Sequence, residues 1–321
     1  MADLLAFLRE CAASGTLIGS LCGLIFIPFL TWLGVRALAP FILRMRDDAP
    51  WQAPLAAIAA TTPGAMFLLL ALVGLLGASS SGCLDFVWGR ALFGAIAVVL
   101  TLALCRAALR AYRRTSQVRK LISVSQPADS SLDAIAQRCG VRVRVMNYGD
   151  AFCALVGSWN PIVLISRGTM ERLSEAELVA ALRHERAHAV RFDLVIAAAL
   201  SFFADLLPLP VADLVQTYAM ARESAADESA VQQCDPAILA SAIVAVATTR
   251  RFRAVAALAE DIYSVKQRVL TLLSASAERT DPGRRRIIVS VSLGAIVLLS
   301  LAPAVLSAFT YYSCAVKGMQ G

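Results

Sequence analysis

The chain contains just two histidines, His184 and His188, with Glu185 beside the first. Positions i and i+4 project from one face of an α-helix, so both imidazoles can bind a single zinc ion. Glu185 lies about 100° further round the helix than His184, where it can reach a water on the ion but not the ion itself. Zinc lowers the pKa of such a water toward about 7, and a carboxylate base then makes a nucleophile able to attack a peptide carbonyl. His184-Glu-Arg-Ala-His188 is a complete H-E-x-x-H. The bare pentapeptide also arises in helices that merely carry a polar stripe, so its surroundings decide.

Those surroundings add ligands. Leu173-Ser-Glu-Ala-Glu177 opens the motif's helix, with Ser174 as N-cap and Glu177 closing a capping box. Glu223-Ser-Ala-Ala-Asp227 follows in a helical stretch from Tyr218 to Val231. Glu223 can be the third protein ligand, leaving a fourth position for water. Asp227, one turn later on the same face, can accept a hydrogen bond from the far nitrogen of a ligand histidine. Asp193 is a second candidate for that task, although a helix-terminal or solvated aspartate is an equally good reading. No third histidine exists to stabilise an oxyanion. Tyr218, Arg222 and Arg253 have the right chemical type, but each is expected to be structural.

The stretch from Ser131 to Val231 resembles the metalloprotease domain of BlaR/MecR-type antirepressor proteases, the bacterial beta-lactam sensor-transducers. It is similar, more distantly, to membrane metalloproteases of the HtpX group. The matching pieces are Gly157-Ser-Trp-Asn-Pro161 with Val163-Leu-Ile-Ser166, and Leu173-Ser-Glu-Ala-Glu177-Leu. They continue with His184-Glu-Arg-Ala-His188, Arg191-Phe-Asp193 and Arg222-Glu-Ser-Ala-Ala-Asp227-Glu228. Arg268 resembles a basic position near the domain's end. The resemblance implies one zinc ion per chain on His184, His188 and Glu223, with Glu185 as general base. It implies a protein substrate, such as a transcriptional repressor or the chain itself. The sensor-transducers also carry an external penicillin-binding domain. No Ser-x-x-Lys lies in a segment expected outside the membrane here, so covalent sensing of a beta-lactam is not expected.

Composition says where these helices must sit. Hydrophobic residues make up 58% of the 321 and charged residues only 17%, which indicates a membrane protein and excludes disorder or a small disulfide scaffold. Ala12 to Val35, Ala49 to Leu84, Phe86 to Leu109 and Ile287 to Val316 are apolar runs long enough to span. The first could be a signal peptide with Ala37-Leu38-Ala39 as cleavage site. Its non-basic start, its length and Pro40 favour a retained span. Eight cysteines form no C-x-x-C and read as reduced, small hydrophobes. The net charge of +7 marks cytoplasmic loops rather than direct nucleic-acid contact.

The expected fold is a mainly α membrane protein. Four transmembrane helices carry an α+β zinc metalloprotease domain inserted between the third and the fourth. The boundaries are 1–114 for three spans, 115–286 for the protease domain, and 287–321 for the last span and a short outer tail. Arginines at 106, 110, 113, 114 and 119 follow the third span, and Arg279, Arg284, Arg285 and Arg286 precede the fourth. The positive-inside rule therefore places the domain in the cytoplasm, in an inner membrane, with both termini outside. Within the domain, a helix over Ser131 to Arg138 ended by Gly140 is expected. Strands are expected at Val141–Val145, Ala151–Val156 and Pro161–Ser166. Leu194 to Ala204 reads as a core or interface-lying helix rather than a fifth span.

Function then reads as a membrane-anchored zinc endopeptidase acting on a cytoplasmic or membrane-proximal regulator. The partners are that protein and the lipid bilayer, and a homodimer is compatible with the reading. The alternatives are an HtpX-like quality-control protease and a catalytically idle transmembrane signal transducer. The complete set His184, Glu185, His188 and Glu223 speaks against the idle transducer.

Overall fold

The computed structural model describes residues 16–45, 48–80, 87–206, 209–247, 262–274 and 286–302. The protein is mostly helical with one small sheet. Three helices come first: α1 (Thr16–Leu43), α2 (Ala49–Ser80) and α3 (Val87–Val124). Each contains a segment long and apolar enough to cross a membrane, at Phe26–Leu43, Ala49–Val73 and Gly94–Val124. Where the fourth span is expected, the described residues hold α11 (Arg286–Ala302), an apolar helix shorter than the three that are long enough to cross a membrane. The rest of that run, the outer loop around residues 81–86 and both termini lie outside the described residues.

Helix α3 does not end where the charges begin. It runs through residue 114, the expected domain boundary, and on to Val124. Arginine and lysine are good helix formers, and nothing from Ala95 to Val124 is a proline or glycine. Its last turns place Val118, Leu121 and Ile122 on one side, where they pack on Met146, Val156 and Leu164 of the sheet. The helix that leaves the bilayer therefore also covers one face of the sheet.

That sheet has four strands: β1 (Gln126–Pro127), β2 (Val143–Met146), β3 (Cys153–Val156) and β4 (Ile162–Ser166), in the order β1-β2-β4-β3. β2 and β4 run parallel, while β3 pairs antiparallel with β4 and forms an edge. Strand periodicity divides the residues of β4. Leu164 faces α3, whereas Val163 and Ile165 join Leu132, Leu178 and Leu182 in a core on the other side. That core is covered by α4 (Ser130–Cys139) and α6 (Glu175–Val190). Asp129 caps α4 by accepting from Leu132 N at 2.8 Å, and Gly140, at φ 68°, ends it as the sequence indicates.

A short helix, α5 (Arg167–Arg172), follows β4 and fixes the start of β3. Ser166 Oγ accepts from Phe152 N at 3.0 Å, and Thr169 Oγ1 donates to Phe152 O at 2.7 Å. Beyond α6 come α7 (Asp193–Leu206), α8 (Ala212–Ala230), α9 (Pro236–Ala247) and α10 (Ile262–Leu273). α7 is the expected apolar, interrupted helix. It joins α8 in a second core with the membrane-type helices. There Val35, Ile42, Ala53, Ala56 and Ala60 meet Leu200, Leu214, Tyr218 and Ala221. Small residues allow the approach: a Cβ on Gly64 would sit 3.0 Å from the Phe203 carbonyl oxygen. Polar ties fix the same layer. Arg110 pairs with Asp205, Arg106 donates to its carbonyl, Arg286 pairs with Asp48, and Arg36 lies 2.5 Å from Asp213.

Candidate metal centre

Helix α6 begins as its sequence dictates. Ser174 and Glu177 form both halves of the capping box, with Ser174 N donating to Glu177 Oε2 at 2.8 Å. Two turns on, the helical period turns His184 and His188 toward α8 and Glu185 toward β3. All three are buried. α8 presents Glu223 to the histidines, and Asp227 lies one turn further along it.

The three donor atoms are closely matched. His184 Nε2 and His188 Nε2 are 3.1 Å apart, and Glu223 Oε2 lies 3.4 Å from the first and 3.6 Å from the second. Tetrahedral zinc with ligands at about 2.0–2.1 Å separates them by roughly 3.3 Å. The outer nitrogens explain why the inner ones need a cation. His188 Nδ1 is 2.7 Å from Asp193 Oδ2, and His184 Nδ1 is 2.9 Å from Asp227 Oδ1. An ionised carboxylate only accepts, so each Nδ1 carries a proton, and each Nε2 offers a lone pair once a metal displaces the proton it holds in the metal-free protein. Without a metal, protons on the imidazoles join these three atoms, and a metal cation that displaces the protons would take their place. The residues present fit a divalent metal of the zinc type.

The surrounding charges tune the same atoms. Burial by itself would lower the His184 imidazole, but hydrogen bonding to Asp227 and Glu223 outweighs it and lifts the group to about 10. His188 is likewise raised, with burial opposed by Glu223 and Asp193. Burial would raise Glu223, yet His188, His184 and Arg268 hold it well below the usual carboxylate range. Glu185 goes the other way: burial raises it, which makes it a better proton acceptor. Its Oε2 accepts from Leu155 N at 2.7 Å, a backbone donor on the outer side of edge strand β3.

All six residues singled out in the sequence, His184, Glu185, His188, Asp193, Glu223 and Asp227, come together here. The further candidates resolve into supports. Tyr218 is buried and donates to the Asp193 carbonyl at 3.0 Å, while Arg222 Nε is 3.1 Å from Glu223 Oε1. Arg253 lies outside the described residues. Two further participants have no site role in the sequence reading, although Arg268 is matched there by resemblance as a basic position. Arg268, on α10, is buried and grips Asp227 with two bonds of 2.7 and 2.8 Å, and it also lies 3.3 Å from Glu223. The other is the Leu155 backbone N–H, which leaves no side-chain signal.

A family model described as BlaR1 peptidase M56 matches residues 78–272, more than half of the chain. The chain belongs to the BlaR1 peptidase family. The matched segment runs from the end of α2 through α3, the sheet and both helices of the triad, to the end of α10 with Arg268. Membership makes this a membrane metallopeptidase by family, and the His184, His188 and Glu223 cluster is where its metal fits. No curated protein matches the chain.

Proposed function

We propose that the chain is a zinc endopeptidase held at the cytoplasmic face of an inner membrane, where it hydrolyses a regulatory, repressor-type protein. The observation that carries the reading is the triad spacing of 3.1 to 3.6 Å, with Glu185 buried beside it. His184, His188 and Glu223 would hold the ion, which supplies Lewis-acid polarisation and activation of water when bound. Glu185 takes the proton from the attacking water and passes it to the amine that leaves when the C–N bond breaks. With Oε2 engaged by Leu155, Oε1 would make that transfer. Asp193 and Asp227 fix the histidine tautomers, and Arg268 fixes Asp227. An extended substrate can pair with the outer edge of β3, as peptides do on exposed strands, and so run past Glu185. The arginine distribution supports a cytoplasmic protease domain with both termini outside.

The test is zinc content beside cleavage of a candidate repressor. Wild type should hold about one zinc per chain. Glu185→Gln should keep zinc and lose about 10²–10⁴-fold in rate, whereas Glu223→Ala should lose both zinc and rate. Full activity in Glu185→Gln would remove the hydrolytic reading. A zinc-free wild type would remove the mechanism altogether.

A further inference from the structure

A second face of α6 carries Arg183, Arg186 and Val190 at helical spacing, clear of the face that bears the histidines. Together with Arg191 just past the helix, and Ser229 and Gln233 at the end of α8, they line a cavity of about 150 Å³. No carboxylate lines it. Several other arginines of the domain are engaged: Arg138 with Glu175, Arg144 with Ser125, Arg222 with Glu223 and Arg268 with Asp227. Among the described residues, no hydrogen bond or ion pair engages Arg183 or Arg186. Arg191 is 3.7 Å from Asp193 Oδ1, and the other oxygen of that carboxylate serves His188.

Arg183 and Arg191 bring like charges to one small cavity, and Arg186 lines it while its guanidinium base packs against Gly140 at the end of α4. The carbonyl ends of α6 and α8 offset only part of this charge, at about half a negative charge each, and Asp193 is shared between Arg191 and His188. We propose that the cavity is a binding site for one phosphate-type anion, as free phosphate or as the headgroup of a phospholipid. Guanidinium forks match phosphate oxygens in pairs, and Ser229 and Gln233 add neutral donors. The volume falls below the roughly 300–1,000 Å³ of pockets for larger ligands, so it admits a single group. Val190 and Phe192 beside it are 64% and 66% exposed, apolar surface that would rest against acyl chains if the phosphate is a lipid's. A bound anion would join α6 to α8, the two helices that hold the metal triad. Because none of the triad lines the cavity, the site stands or falls independently of the peptidase reading.

The test uses the full chain in phosphatidylcholine nanodiscs, titrated calorimetrically with inorganic phosphate against chloride at equal ionic strength. One saturable phosphate per chain is expected, with Kd of about 1 mM or tighter. The double variant Arg183→Gln, Arg186→Gln should weaken it at least tenfold. Ser229→Asp, at a half-buried position, places a carboxylate among the arginines and should abolish binding while circular dichroism stays unchanged. It decides the matter if the double variant does not fold. A second arm replaces part of the lipid with phosphatidylglycerol. A melting temperature raised there, with phosphate binding suppressed, and both lost in Ser229→Asp, identifies a lipid headgroup as the source. Phosphate that behaves like chloride, together with no variant-dependent effect of phosphatidylglycerol, overturns the proposal.

Discussion

Helix α8 is two helices in chemical terms. Its first half, around Leu214, Tyr218 and Ala221, is embedded among the alanines of α2 and the side chains of α1. Its second half carries Arg222, Glu223 and Asp227 into a cluster of two histidines and a buried arginine. The first half is held by contact area, which is roughly additive and forgiving of small changes in direction. The second is held by charges, each with a specific partner, so that losing one leaves another buried and uncompensated. One rigid element thus registers the metal centre against the membrane layer.

Substitutions in the two halves should separate stability from metal chemistry. Leu214 is fully buried, and Leu214→Ala should destabilise the protein by about 2–5 kcal/mol while leaving about one zinc per chain. Thermal unfolding beside metal analysis checks this, and loss of zinc from a folded Leu214→Ala would erase the distinction between the halves. Asp227→Asn should weaken zinc binding by about 10–100-fold and, because it takes a charge from the buried Arg268, should lower stability as well. Competition with a chelator measures it, and Asp193→Asn, acting through His188, should match it within that range.

Protons come next in size. His184 is raised to about 10, above its unfolded value of 6.5. Its charge therefore stabilises the metal-free fold below about pH 6.5, and that contribution is lost as pH rises through about 10. Zinc needs the neutral ring, so between those limits its apparent affinity should rise about tenfold per pH unit for each proton displaced. Calorimetry in buffers of different ionisation heat should show proton release on zinc binding at pH 7.5; no release would mean that the ring is neutral beforehand. The smallest effect belongs to the rim of the apolar half. The Arg36–Asp213 pair is more than a third exposed on both sides, and Arg36→Ala should change stability by less than about 1 kcal/mol.

Much of the centre was legible because helical geometry decides which residues share a face. The shared faces of His184 with His188 and of Glu223 with Asp227, and the cap at Ser174, follow from spacing within one helix; the assignment of Glu223 to the histidines' centre is what the family resemblance implies. Asp193 was readable as one of two equal options, and packing against His188 decides between them. Arg268 lies 41 residues from Asp227, and no local pattern connects two helices that meet only in the fold. The Leu155 contact belongs to the backbone and is indifferent to residue type. The extent of α3 was obscured for another reason. Arginines after residue 105 mark departure from the hydrocarbon, and departure from the membrane is not departure from the helix.

That helix has 38 residues, about 57 Å at 1.5 Å per residue. Beyond Gly94 it holds no glycine or proline, the residues at which sharp bends usually arise. One unbroken helix therefore joins the apolar layer to Val118, Leu121 and Ile122 on the back of the sheet, and the far edge of that sheet holds Glu185 through Leu155.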